Sequence, residues 1–172
     1  MDKHHKARRT FMWLMACALL LVLLACVVPL LKHFGFAFTY VKQASIEPGF
    51  YIFKGKQKHY SKADKVAFVM PQKIREAFKL QSHQERWVIK PIIAVSGDLV
   101  CLKEDQVLVN QENFGLRRQY GKNKQSLPQI DFCRALNKGE YWVMSDYSIY
   151  SFDSRYLGPI TQEMIRAKVK GV

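Results

Sequence analysis

The longest apolar pattern in the chain runs from Phe11 to Leu31, 21 residues without a charged side chain. A helix of that length crosses a hydrocarbon core of about 30 Å. The apolar residues continue through Leu30 and Leu31 to Lys32, so the run is longer than the apolar run of a cleaved signal peptide. Leu23-Leu24-Ala25-Cys26 resembles a lipoprotein cleavage box, but apolar residues also follow its cysteine. The pattern therefore predicts an uncleaved transmembrane signal-anchor over residues 11–31.

The ten residues before this block carry four Lys/Arg side chains and one Asp. Positive residues beside a first apolar helix favour a cytoplasmic N-terminus. We therefore expect a cytoplasmic tail at 1–10 and a single exported domain at 32–172.

Beyond the anchor the pattern changes to short β-prone runs separated by turns. Period-two alternation and β-branched or aromatic residues mark the strand candidates. These are Lys32–Val41, Phe50–Phe53, Lys65–Met70, Trp87–Val95, Leu99–Leu102, Val107–Asn110, Glu140–Met144 and a closing edge strand at Ala167–Val172. One helix is predicted at Gln72–Gln81, and the polar stretch Asn113–Pro128 is predicted to be a surface excursion. Many short strands with one helix predict a mostly β domain.

The formal net charge of +13 raises the question of nucleic-acid binding. The tail accounts for about +3, and the remaining basic residues are scattered, with no aromatic-basic ladder. Lysines close to anionic lipid are favourable, so proximity to membrane lipid or a solvated surface explains the charge better. We expect no nucleic-acid partner.

The four cysteines fall into two groups. Cys17 and Cys26 lie in the apolar block, where they are expected to pack as small apolar side chains. Cys101 and Cys133 lie in the exported part, where an oxidising compartment permits a disulfide. Two alternatives remain open for this pair: a Cys101–Cys133 disulfide, or two buried free thiols.

Two residues carry candidate chemistry. Ser45 lies just before the turn Pro48-Gly49, and a serine hydroxyl needs a nearby base to act as a nucleophile. Lys90 interrupts an apolar run containing Trp87, Ile89, Ile92 and Ile93. Burial there would lower its pKa towards the range of a useful base. The alternative is a lysine that faces solvent from an alternating strand.

The segment Ser145–Gly158 mixes polar and aromatic residues. Asp153 and Arg155 can form a charge-assisted pair, and Ser151 can hydrogen-bond an amine. Each of these residues also has an ordinary surface interpretation.

Taken together, three blocks in this order after a single anchor resemble signal peptidase I, especially its conjugative-transfer (TraF-type), pilin-maturing branch. The matching stretches are Ser45 with Pro48-Gly49-Phe50-Tyr51, Asp64–Phe68, Val88-Ile89-Lys90 with Ala94–Val100, Tyr141–Asp146, and Ser151–Gly158. The Ser-x-Asp-Ser-Arg-Tyr-x-Gly run, together with the lysine block, is a specific signal for this family, whereas the serine block alone is a weak one.

The resemblance implies a signal-peptidase-like antiparallel β catalytic domain and assigns roles to its residues. Ser45 would be the nucleophile, Lys90 the general base, Ser151 the hydroxyl that orients the amine, and Asp153 with Arg155 a structural ion pair. The Ser45 amide would donate to the oxyanion, and Gln43 stands where many relatives have a second donor. Ser145 replaces the usual glycine before Asp146, and Pro91 replaces a common arginine. No metal or cofactor is implied.

The resemblance also implies a serine endopeptidase of the bacterial inner membrane, single-pass, with its catalytic domain in the periplasm. Its expected partners are exported, pilin-like precursors with small residues before the cleavage site, membrane lipid, and the conjugation or secretion machinery. Two alternatives stay open: a housekeeping signal peptidase I, and a non-catalytic assembly factor that kept the fold.

Overall fold

The computed structural model describes residues 2–33, 37–42, 46–72, 87–121 and 124–172. The chain divides into two compact units, Met1–Ala37 and Phe38–Val172.

The first unit is formed by helix α1, Asp2–His33, which continues through Pro29. Its segment Lys6–Leu30 is, among the described residues, the one helical segment long and apolar enough to cross a membrane. The uncharged apolar run that begins at Phe11 explains why most of this segment is helical, since a helix satisfies its own backbone hydrogen bonds.

The second unit consists mainly of strands in two antiparallel sheets. In chain order they are β1 Ala37–Val41, β2 Gly49–Lys54, β3 Lys65–Val69, β4 Trp87–Ala94, β5 Leu99–Lys103, β6 Gln106–Val109, β7 Glu112–Leu116, β8 Cys133–Ala135, β9 Glu140–Val143, β10 Ile160–Thr161 and β11 Ile165–Gly171, with a short helix α2, Ser154–Leu157, between β9 and β10. Among the described residues, the larger sheet has the order β1-β2-β11-β3-β4-β9-β10 and the smaller one β7-β6-β5-β8. The expected mostly β, antiparallel fold after an N-terminal apolar helix is confirmed.

Apolar side chains cover both faces of the larger sheet around β3 and β4. Because side chains alternate along a strand, Ala67 of β3 and Ile89 of β4 enter one core cluster, while Val66 and Phe68 enter a second one on the opposite face. Burial on both faces explains why β3 and β4 are almost continuously apolar.

A third cluster joins the two sheets. Ala94, Trp142 and Met144 from the larger sheet pack with Val100 and Val107 from the smaller sheet. Within the smaller sheet, Cys101 of β5 lies opposite Cys133 of β8, and a disulfide links them. The alternative of two free thiols at these positions is therefore wrong.

Three predictions about the strands need correction. The strand expected from Lys32 begins instead at Ala37, since Lys32 and His33 belong to α1. The C-terminal strand is not at an edge, because β11 lies between β2 and β3, where Ala167 and Val169 are buried. The excursion predicted from Asn113 begins instead as strand β7, paired with β6. Most of its side chains are exposed, so it lacks the alternation that would have revealed it. The helix predicted at Gln72–Gln81 lies, from residue 73 onward, outside the described residues.

Candidate active site

Lys90 is buried in the middle of the larger sheet. It lies in β4, opposite Val66 of β3, and only 1% of its surface is exposed. Strand alternation places it on the face shared with Val88 and Ile92, whereas Ile89 belongs to the cluster on the other face. The solvent-facing alternative is therefore wrong. Val66, Val88 and Ile92 provide the apolar surroundings of Lys90, whereas Ile89, which was expected to contribute, lies on the other face.

Burial changes the acid–base behaviour of this lysine. Desolvation lowers the pKa of Lys90 from 10.5 to about 8; the charge of Asp153 opposes this shift and that of Arg155 adds to it. A neutral amine accepts a proton, and a base titrating near the working pH is the most effective one. Lys90 is therefore suited to act as a general base.

The strand beside Lys90 brings the third block of the sequence next to it. Ile92 is paired with Val143 of β9, and the Met144 amide donates to the Pro91 carbonyl at 3.1 Å. The next residue, Ser145, follows the end of β9, and its amide donates to Asp153 Oδ2 at 3.0 Å. Asp153 is close enough to Lys90 for its charge to influence the pKa of the amine.

Asp153 and Arg155 form a buried bidentate pair, exposed by 0% and 2%. Arg155 Nε donates to Oδ1 and Nη2 to Oδ2, both at 2.8 Å. Burial alone would lower the pKa of Arg155, but the hydrogen bonds and charge of Asp153 raise it. Arg155 Nη1 also donates to the Leu116 carbonyl at 3.0 Å, so the pair ties α2 to the end of β7.

Ser151 is 4% exposed, and its Oγ has no hydrogen-bond partner among the described residues. Its carbonyl accepts from Arg155 Nη2 at 3.3 Å, which holds the Ser151 backbone to the ion pair. A buried hydroxyl without a partner is costly, so such a group is commonly kept for function. This state fits a hydroxyl available to an amine.

Ser45 and Gln43 lie outside the described residues, so only their neighbours can be described. Val41 before them and Ile46 after them are both buried in the core cluster that contains Ile89. The Tyr51 hydroxyl donates to the Glu47 carbonyl at 2.7 Å, which holds the turn after this segment. The residues on either side of 43–45 thus belong to the same core cluster as Ile89, the neighbour of Lys90 in the sequence of β4.

One supporting residue was not anticipated from the sequence. Ser154 is completely buried, and its Oγ accepts from the Val143 amide at 2.9 Å, which joins α2 to β9. Asp153 caps α2 by accepting from the Arg155 amide. The adjacent Asp153-Ser154 pair was a usable signal, since both residue types favour helix N-termini. Within the described ranges, no group of three or more His, Cys, Asp or Glu side chains could hold a metal ion.

Comparisons with known proteins point in one direction. The chain is 32% identical over 89 residues to the plasmid transfer protein TraF of Escherichia coli, covering 50% of each. It is 31% identical over 90 residues to signal peptidase I V of Bacillus subtilis (strain 168), covering 45% of this chain and 52% of the relative. The chain therefore spans about half the length of the curated relatives it matches.

A solved structure, that of a signal peptidase I from Enterococcus faecalis V583, covers 64% of this chain and 97% of its own, at 23% identity and a TM-score of 0.40. The family model described as signal peptidase, peptidase S26, matches residues 10–172. Since that match includes nearly every residue, the chain belongs to the signal peptidase S26 family.

Proposed function

We propose that this chain is a membrane-anchored serine endopeptidase in which Ser45 and Lys90 form the catalytic dyad. The observation that carries the proposal is the state of Lys90, a lysine 1% exposed in an apolar strand with a pKa lowered to about 8. A buried lysine is costly without a role, and strongly shifted groups cluster at functional sites. Membership of the S26 family supports the same assignment.

The proposed chemistry is acyl transfer. Lys90 Nζ takes the proton of the Ser45 hydroxyl as its oxygen attacks the scissile carbonyl and forms a tetrahedral intermediate. When this intermediate collapses, the C–N bond breaks, the protonated lysine gives its proton to the leaving amine, and the acyl-enzyme remains. Lys90 then takes a proton from a water molecule that hydrolyses the acyl-enzyme and frees the Ser45 hydroxyl. The Ser45 amide donates to the developing oxyanion, with Gln43 as the candidate second donor. Ser151 Oγ orients the lysine amine, and the Asp153–Arg155 pair holds the backbone of Ser151 in place.

The proposed substrates are exported precursors. The likeness to a plasmid transfer protein favours a dedicated enzyme that matures pilin or another conjugative-transfer component. In this proposal α1 spans the bacterial inner membrane with residues 1–10 in the cytoplasm, residues 11–31 as the anchor, and the domain from residue 32 onward in the periplasm. The Cys101–Cys133 disulfide suits that oxidising compartment.

A second candidate function is housekeeping signal-peptide removal, which the comparable likeness to signal peptidase I V favours. Expression in cells depleted of their general signal peptidase separates the two functions. Rescue of growth would assign the housekeeping role, whereas failure to rescue, together with cleavage of a pilin precursor, would assign the dedicated one.

The dyad is tested by incubating the purified full chain, in detergent, with candidate pilin precursors. Ser45→Ala and Lys90→Ala should each reduce cleavage by more than about a thousandfold, as expected for loss of a nucleophile or its base. Ser151→Ala should reduce it less. Lys103→Ala and Ser126→Ala serve as matched controls, because both side chains are exposed in the described structure.

Each variant should accumulate in the membrane like the wild type. Wild-type cleavage by a well-folded Ser45→Ala or Lys90→Ala variant would overturn the proposed mechanism. An unchanged rate for Ser151→Ala would overturn its orienting role alone.

A further inference from the structure

A cavity lies between the smaller sheet and the segment that follows β9. It measures about 430 Å³, which is within the size range of ligand-binding pockets. One wall consists of the end of β7 and the next two residues, 114–118, and the other consists of residues between 144 and 149. We call this cavity the β7 pocket. In the described part of the chain, neither Lys90 nor Ser151 lines it, so it is separate from the proposed catalytic groups.

The side chains around the β7 pocket are mainly apolar. They belong to Ile93, Phe114, Leu116, Met144 and Ile149. Leu116 and Ile149 are 60% and 59% exposed, so neither side chain is part of the folded core. Exposed apolar side chains grouped around a cavity are typical of a surface that binds an apolar group.

The charged groups of the β7 pocket balance each other. Arg155 borders the pocket, but its charge is compensated by Asp153 at 2.8 Å. The other charged residues in the lining are two arginines and two aspartates, namely Arg117, Arg118, Asp105 and Asp146. A pocket without net charge has no net attraction for an ionised group, and burying one there is costly, so an uncharged occupant is favoured.

The β7 pocket adjoins the candidate active site through the strand that carries Lys90. Met144, in the wall of the pocket, donates its amide to the carbonyl of Pro91, the residue that follows Lys90. Arg155, which also borders the pocket, is paired with Asp153, and the charge of Asp153 influences the pKa of Lys90. The pocket is therefore within reach of a peptide that is bound at the lysine.

A second link connects the β7 pocket with the serine segment. The Tyr51 hydroxyl donates to the carbonyl of Glu47, in the turn that follows Ser45 in the sequence. Burial raises the pKa of Tyr51, and the charges of Glu47 and Asp146 raise it further. Since Asp146 lines the pocket, the pocket and this turn are close to each other.

We propose that the β7 pocket binds a large apolar side chain of the precursor, located after the scissile bond on the mature side. The residues before that bond are expected to be small, and small side chains cannot fill a cavity of about 430 Å³. A leucine or phenylalanine would leave water for the apolar lining, which is favourable. The inference rests on the proposed peptidase function and adds a sequence preference to it.

Photocrosslinking tests the occupant without requiring cleavage. The full-length Ser45→Ala chain in detergent is mixed with precursor peptides that carry photo-leucine at successive positions on either side of the scissile bond. Photo-leucine after the bond should label residues 114–118 or 144–149, as read by mass spectrometry, and photo-leucine before the bond should not.

Labelling of these residues only from positions before the bond would overturn the inference and assign the β7 pocket to the leader. Labelling elsewhere on the chain, with none at the pocket, would overturn the inference and leave the proposed function intact. Peptides that label no part of the chain would contradict the proposed function as well.

Cleavage kinetics test the preference itself. Replacing leucine by serine at the position that labels the pocket should lower kcat/KM of the wild-type chain about tenfold, as loss of an apolar contact commonly does. Leu116→Ala/Ile149→Ala should remove most of this difference, because it deletes two apolar walls of the pocket. Leu99→Ala/Val172→Ala also shortens two exposed apolar side chains, away from the pocket, and should keep the difference. A preference that survives in the first variant, or that disappears in both, would contradict binding in the β7 pocket.

Discussion

At the scale of single residues, Lys90 combines burial with an ionisable amine. Its neighbours Val66, Val88 and Ile92 offer no hydrogen-bonding side chain, so the neutral form of the amine is favoured. A lysine whose charge is disfavoured in the folded protein lowers the stability of that protein. The same property makes it a base at physiological pH, which is the expected conflict between stability and activity at such a site.

The pH dependence of cleavage follows from this state. The rate constant kcat/KM should rise with pH and reach half its maximum near the pKa of Lys90, about 8, because only the neutral amine accepts a proton. Initial rates on a precursor peptide between about pH 6 and 10 measure the profile. A rate that falls with rising pH over this interval would contradict a lysine base.

Replacing this lysine should stabilise the protein. The pKa of Lys90 is about 8 when folded against 10.5 for an ordinary lysine, so folding disfavours its charged form. Below pH 8 that cost is complete, and it declines as pH rises towards 10.5. Lys90→Met should therefore raise the free energy of unfolding at pH 7 by about 3 kcal/mol, with a gain that shrinks above pH 8.

Urea denaturation in detergent micelles measures this change at several pH values. Lys103→Met is the matched control, since that side chain is exposed and should contribute less than about 0.5 kcal/mol. A Lys90→Met variant less stable than the wild type at pH 7 would show that the charged amine has a stabilising partner.

At the scale of elements, the site depends on which strands are neighbours. β4 lies between β3 and β9, and the segment after β9 contains Asp153, which accepts from the Ser145 amide and whose charge influences the pKa of Lys90. α2 is only four residues long, yet Asp153 caps it and pairs with Arg155 inside the protein. The short helix thus serves to hold a buried ion pair beside the lysine.

Asp153→Asn should affect both stability and the pH profile. It leaves Arg155 buried without its carboxylate, which typically costs 3–5 kcal/mol. The charge of Asp153 also raises the pKa of Lys90, so in any folded variant the midpoint of the rate profile should fall below the wild-type value.

Thermal unfolding and the rate profile measure the two effects, with the exposed Asp131→Asn as the control. A midpoint that moves upward, in a variant that remains folded, would contradict the electrostatic influence of Asp153 on Lys90.

At the scale of the whole second unit, two sheets are joined by a shared core and by one polar link. Trp142 and Met144 pack with Val100 and Val107 of the smaller sheet, and Arg155 donates to Leu116 at the end of β7. The Cys101–Cys133 disulfide lies within the smaller sheet and spans 32 residues of chain. It therefore constrains the polar segment between β7 and β8.

Removal of the disulfide should weaken the smaller sheet selectively. Cys101→Ala/Cys133→Ala should lower the free energy of unfolding by about 2–4 kcal/mol, as loss of a native crosslink usually does. Amide hydrogen exchange should accelerate more in β5 and β8 than in β3 and β4, because the disulfide joins β5 to β8. Cys17→Ala/Cys26→Ala is the control, and equal exchange in both sheets would contradict a local role.

Local patterns in the sequence determine much of this protein. An uncharged apolar run specifies α1. In an apolar environment such a run must form its backbone hydrogen bonds within itself, and a helix does so. Alternation and apolar runs identify most strands, including β3 through β6, because those side chains are buried on one or both faces. The Ser45, Lys90 and Ser151–Gly158 blocks resemble those of a known family, and the proposed chemistry follows from that resemblance.

The tertiary structure alone decides the partners of those elements. β11 is central because it pairs with two strands that lie far earlier in the chain, and β7 exists because β6 supplies its hydrogen bonds. Lys90 is buried beside Val66 of β3, and its pKa responds to Asp153 and Arg155, none of which its own strand reveals. A single stretch of sequence specifies which residues can form a strand. Which strands become its neighbours depends on pairing between distant segments, and that pairing is a cooperative property of the folded chain.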